Sequence, residues 1–97
     1  IMGHMGGYFH WQDAIRAAER LENVVLDTSA LPYPQAIKEA VERVGSSRVL
    51  YASDGPGCVP QIEVHKVRMA GLRPEDEEAV FHGSIEAILE RVDTGGR

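Results

Sequence analysis

The sequence predicts an α/β fold in which short parallel strands alternate with amphipathic helices. Three observations carry this expectation. Val24-Val25-Leu26 and Val49-Leu50-Tyr51-Ala52 are brief, continuous apolar runs, as strands covered on both faces read. Apolar stripes at helical spacing lie before, between and after them. Each run opens into a loop built from Ser, Thr, Pro or Gly. Strand and helix patterns in alternation are the signature of βα units around a parallel sheet.

The elements follow in order. Ile1-Met2 reads as the end of a strand whose greater part is missing, so the sequence is expected to start inside an element. Gly3-His4-Met5-Gly6-Gly7 holds three glycines in five residues, which marks a turn. A helix is expected over 11–21, with Trp11, Ala14, Ile15, Ala18 and Leu21 on one face and Asn23 as its stop. After the first strand, Thr28, Ser29, Pro32 and Pro34 form a loop, and Pro34 suits a helix first turn. Ala36, Ile37, Ala40, Val41 and Val44 make the next stripe, closed by Gly45. The second strand leads into the loop Ser53-Asp54-Gly55-Pro56-Gly57. The remainder reads as helical. A helix over 60–70 turns Ile62, Val67 and Ala70 inward and ends at Gly71. Another starts at Pro74, with Glu75 and Asp76 complementing its dipole. Gly83 breaks that helix, and Ser84 caps the last one, whose stripe is Ile85, Ile88, Leu89 and Val92. Residues 93–97 read as a frayed tail.

The 97 residues make one domain or a fragment of one. Hydrophobic residues at 43% and charged residues at 26% are ordinary for a globular chain. A net charge of -5 disfavours nonspecific binding to nucleic acid or acidic membranes. No apolar run approaches the ~20 residues that span a bilayer. The single cysteine, Cys58, excludes an internal disulfide and a cysteine-based zinc knuckle. A cytoplasmic setting is the default expectation.

In parallel βα folds, ligands bind beyond the carboxyl ends of the strands. His4 follows the first extended stretch, Asp27-Thr28-Ser29 the second, and Ser53-Asp54 the third. These are the candidate site residues. Asp27 and Ser29 are candidates for lining a substrate pocket, or for tying the strand end. His10 and Trp11 lie beside the expected mouth, where the alternatives are a helix-entry residue and a buried aromatic. Asp54 is a candidate metal-facing carboxylate, or an Asx-turn residue of its own loop. Ser29 lacks a nucleophile elbow. Cys58 has no assignable base, and His65 and His82 read as surface residues.

Taken in order, Gly3-His4-Met5-Gly6-Gly7, Asn23-Val24-Val25-Leu26-Asp27-Thr28-Ser29, Arg48-Val49-Leu50-Tyr51-Ala52-Ser53-Asp54-Gly55-Pro56, Lys66, Ala70-Gly71-Leu72 and Pro74-Glu75-Asp76 form one ordered set. This set resembles the C-terminal third of the amidohydrolase-related metal-dependent hydrolases, in the branch that includes aminocarboxymuconate semialdehyde decarboxylase. The resemblance implies the C-terminal segment of a (β/α)8 TIM barrel, an incomplete barrel as it stands. It implies hydrolysis of a C–N or C–O bond of a small-molecule substrate with metal-activated water, or a related decarboxylation. It implies that Asp54 is a metal ligand that also handles the proton of bound water. It implies that His4 polarises the scissile group or binds metal. Zinc is the expected ion, with manganese as the alternative.

The departures matter as much. Nothing in the chain matches the family's His-x-His pair or its further histidine, and two ligands fall short of the three that a catalytic zinc needs. Ala52 stands where a glycine is usual, and Ser84 where an asparagine is. The chain alone is therefore expected to be inactive. The competing expectation is a non-catalytic piece whose exposed strand edges pair, in a homo-oligomer or with the missing N-terminal barrel part. A nucleotide-binding module is disfavoured, because Gly3, Gly6 and Gly7 fit neither G-x-G-x-x-G nor the P-loop.

Overall fold

The computed structural model describes residues 1–95. Helix α1 spans Gly7–Arg20, strand β1 Leu26–Asp27, helix α2 Pro34–Val44, strand β2 Val49–Leu50 and helix α3 Pro60–Met69. Helix α4, Pro74–Glu78, runs through a wide π turn at Ala79–Gly83 into helix α5, Ser84–Gly95. Short 3-10 turns at Gly3–Gly6 and Ser46–Arg48 precede α1 and β2.

The strands are parallel, with Leu26 opposite Val49 and Asp27 opposite Leu50. Met2 adds a parallel bridge to Leu26 on the other side of β1. Its N–H donates to the Val25 carbonyl at 2.7 Å, and its carbonyl accepts from Asp27 N–H at 3.1 Å. The order across the sheet is therefore Met2, β1, β2. This parallel pairing with intervening helices agrees with the expected α/β class. Each strand is short, and β1 sits later than the apolar run suggested, at Leu26–Asp27.

The core gathers Met5, Ile15, Ala18, Leu26, Leu31, Ile37, Ala40, Val49, Val67 and Val80. Helix α1 contributes Ala14, Ile15 and Ala18, and α2 contributes Ala36, Ile37, Ala40 and Val41. Both stripes match the spacing in the sequence. Leu21 is the exception on α1, because the helix ends before it and leaves it exposed. The small residues Ala18, Ala36 and Ala40 let α1 and α2 lie close to the sheet.

The turn Ser46–Arg48 joins three elements. Arg48 Nη1 donates to the carbonyls of Ala18, Leu21 and Val24 at 2.9, 3.0 and 3.2 Å. These include end groups that no intrahelical donor reaches. The Ser46 carbonyl accepts from Ser84 Oγ at 2.7 Å, which ties α5 to the same turn.

Several local expectations are corrected. Helix α1 begins at Gly7, not at residue 11, and exposed Tyr8 and Phe9 had hidden its first turn. Ile62 points outward at 64% exposure, whereas Glu63, Lys66, Val67 and Ala70 face inward. That set has the i, i+3, i+4, i+7 spacing of a buried helix face, disguised by two charged members. Gly83 does not break the helix that starts at Pro74, because the wider π turn accommodates it and leads on into α5. Ser84 has helical backbone angles and bonds to Ser46 rather than capping. Leu89 and Val92 are exposed, so the last stripe is only partly covered. Residues 93–95, expected in a frayed tail, instead continue α5, which reaches Gly95. Residues 96–97 lie outside the described residues.

Candidate functional site

The backbone of the first turn is set by its glycines. Gly6 and Gly7 have φ of 91° and 73°, and His4 and Met5 also adopt positive φ, at 59° and 38°. Such angles are cheap for glycine and costly for Met5. Met5 is fully buried, so core packing offsets the strain and pins the turn. With Met5 held inward, His4 is left facing the loop beyond β1.

The His4 ring meets that loop at one residue. Nδ1 lies 3.0 Å from the Ser29 carbonyl and 3.0 Å from Ser29 Oγ. A carbonyl can only accept, so Nδ1 carries the proton and donates. Nε2 then holds the free lone pair, the state of an imidazole that accepts a proton or binds a cation. Ser29 is 2% exposed. Its own N–H donates to Asp27 Oδ1 at 2.7 Å. Asp27, Ser29 and His4 are thus joined in one chain of hydrogen bonds at the end of β1.

Beneath this loop lies a buried ion pair. Lys66 Nζ stands 2.7 Å from Glu63 Oε1, and the two side chains are 7% and 8% exposed. Lys66 also donates to the Thr28 carbonyl. Glu63 Oε1 accepts from Ala30 N–H at 3.1 Å. Ala30 has a φ of 61°, a conformation that needs outside support in a residue other than glycine. The Thr28 hydroxyl is buried and has no hydrogen-bond partner.

The other candidates stand apart from this chain of bonds. Asp54 is exposed, with φ of 53°, and its backbone carbonyl accepts from Cys58 N–H at 3.0 Å. His10 is exposed and lies 3.5 Å from Asp13 Oδ2. Trp11 is partly buried against the core. Tyr8, Ala30, Leu31, Cys58, Glu63 and Lys66 border an open groove of about 390 Å³ beside the loop.

Among the described residues, no group of three or more His, Cys, Asp or Glu side chains is placed to hold a metal ion. His4 and Asp54 do not make up a metal centre between them, and the residues present do not fit the group by themselves. Sequence reasoning missed Glu63 altogether and met Lys66 only as part of an ordered set. Their inward helical spacing was the available signal.

A parallel α/β arrangement with polar residues gathered beyond the strand ends defines a class of βα proteins whose ligands meet those ends. Within that class, the amidohydrolase family model matches residues 1–91, and the chain belongs to the amidohydrolase family. The family generally uses divalent metals and acts on small molecules. No curated protein matches the chain. Among the described residues, no helix is long and apolar enough to cross a membrane.

Proposed function

We propose that the chain supplies the last strand ends of a metal-dependent hydrolase barrel, acting on a C–N or C–O bond of a small molecule in the cytoplasm. The observation that carries this reading is the His4 ring. Ser29 holds its Nδ1, and Nε2 is left free beyond the sheet. The family match over residues 1–91 supports it. In this reading His4 stabilises charge developing on the substrate oxygen or takes a proton. Asp54, in the loop that follows β2, is the proton-handling carboxylate. Asp27 and Ser29 shape the substrate side, and His10 and Trp11 flank it. His4 and Asp54 would be this chain's contribution to a divalent-ion site, for zinc or manganese, whose other ligands would come from a His-x-His pair in an N-terminal barrel part. The chain alone is inactive. Decarboxylation in place of hydrolysis belongs to the same reading.

Elemental analysis and titration with zinc and manganese test it, on this chain and on a longer protein carrying the upstream reading frame. The expected result is no stoichiometric binding by the chain. The longer protein is expected to bind metal and hydrolyse amide or lactone substrates, with both lost in Asp54→Ala. An upstream frame with no His-x-His pair within a barrel length would sink the idea.

A second reading has its own observation. Phe9 is 90% exposed, and Ile62 and Met69 are exposed on α3. Apolar side chains this open suit a chain that associates, with itself or with a barrel partner. A sharp monomer mass in solution, with cooperative unfolding, would count against it.

A further inference from the structure

We infer that the buried Glu63–Lys66 pair is a positioning device for His4, acting through the two peptide groups on either side of Ser29. This rests on the proposed role of His4 for its importance, though not for its geometry.

Two peptide planes carry the constraint from the ion pair to the ring. The Ser29 carbonyl that accepts from His4 Nδ1 and the Ala30 N–H that donates to Glu63 Oε1 belong to one peptide unit. That unit is rigid and planar. Fixing its N–H on Glu63 therefore fixes the direction of the oxygen that meets His4. The preceding unit carries the Thr28 carbonyl, which accepts from Lys66 Nζ. Ser29 is thus clamped before and after by two charges that also bond each other at 2.7 Å. Ala30 sits at a φ of 61°, so this peptide orientation needs the clamp.

Electrostatics act in the same direction. A carboxylate accepting from a peptide N–H polarises that peptide and makes its carbonyl a better acceptor. The Ser29 carbonyl then favours the Nδ1-protonated ring over its tautomer. The pair is nearly dry, which strengthens each of these bonds. Two buried charges are costly if they only fill space. Here each also satisfies a backbone group of the loop that holds His4.

The tautomer of His4 is the readout, measured by imidazole ¹⁵N–¹H correlation on the full chain at about pH 9, where imidazole is neutral. His4→Gln assigns the signal among the histidines. The wild-type chain is expected to show His4 as the Nδ1–H tautomer, the reverse of the free ring's preference, with an exchange-protected Ala30 amide. An Nε2–H ring or a fast-exchanging Ala30 amide overturns the inference before any further variant is made. In Glu63→Leu/Lys66→Met, which keeps apolar bulk and removes the clamp, the Nδ1–H fraction is expected to fall at least twofold. Glu63→Gln keeps an acceptor oxygen without its charge and is expected to fall between the two. An unchanged fraction in a folded double variant overturns the inference. If the double variant does not fold, an unchanged fraction in Glu63→Gln does so. The readout needs neither metal nor substrate. An inactive longer protein with the expected tautomers would sink the proposed function and leave the clamp standing. An active one with unmoved tautomers would do the opposite.

Discussion

Arg48 Nη1 donates to the Ala18 carbonyl at 2.9 Å, across thirty residues of chain. The same nitrogen reaches Leu21 and Val24, so one guanidinium closes the carboxyl end of α1 and the turn after it. Arg48→Met keeps much of the stem and removes the donors. It is expected to lower stability by about 1–3 kcal/mol. Urea unfolding of the two proteins measures this, and a midpoint within error of wild type would show that water replaces the guanidinium without loss.

Gly6 is the least replaceable glycine of the first turn. A Cβ there would lie 3.1 Å from Ala14 Cβ and 3.1 Å from the Trp11 nitrogen, at a φ of +91°. Gly6→Ala combines left-handed strain with crowding, and the expected cost is about 2 kcal/mol or more. Gly7 has open space around the same position, so Gly7→Ala is expected to cost only the backbone term. Thermal unfolding of both variants should rank them in that order.

Thr28→Val is expected to be neutral or to stabilise by about 1 kcal/mol. The Thr28 hydroxyl is buried without a partner, and an isosteric methyl removes a desolvation cost and no bond. A loss above about 1 kcal/mol in denaturant titration would mean that the hydroxyl has a partner in solution, such as water.

Asp76 gives a pH-dependent test. Its carboxyl is held below the usual aspartate range, chiefly by a hydrogen bond from Arg73 and then by one from Ser46. The folded value is below the unfolded one. Its stabilisation is therefore present above the ordinary aspartate titration and is lost as pH falls through the depressed folded value. Asp76→Asn is expected to be less stable than wild type near neutral pH and to converge with it in acid. Urea midpoints at the two pH extremes check this, and a difference that persists unchanged in acid would exclude the carboxylate as its source.

The sequence was most legible where packing is made of one kind of residue. The α1 face Ala14, Ile15, Ala18 and the α2 face Ala36, Ile37, Ala40, Val41 could be read directly, since a 3.6-residue period of apolar side chains has no rival explanation. The parallel strands were legible for the same reason, though not their limits. The face of α3 was not, because Glu63 and Lys66 are apolar in neither composition nor expectation and become buried only as a pair. The Ala79–Gly83 turn was misread because glycine in a helix signals both an end and a widened turn. The candidate site was half legible. His4 and Ser29 could be placed at strand ends from the order of elements, and the structure brings them together. Their contact depends on Met5 entering the core through a strained backbone, for which no local sequence pattern speaks.

The π turn has one more consequence. In a strand, the C=O and the N–H of one trans peptide unit point to opposite sides. The Leu50 carbonyl faces β1, where it accepts from Thr28 N–H at 2.9 Å. Tyr51 N–H therefore faces the outer side, and there it donates to the Val80 carbonyl at 2.8 Å. The π turn between α4 and α5 occupies the seat that a further strand would take. A newcomer seeking to close the sheet on that side competes with a tenant tethered by its own chain, at a high effective concentration. The far side, beyond Met2, has no such occupant among the described hydrogen bonds. The two flanks of this small sheet thus differ in what it takes to extend them, and enlargement is cheaper from the Met2 flank.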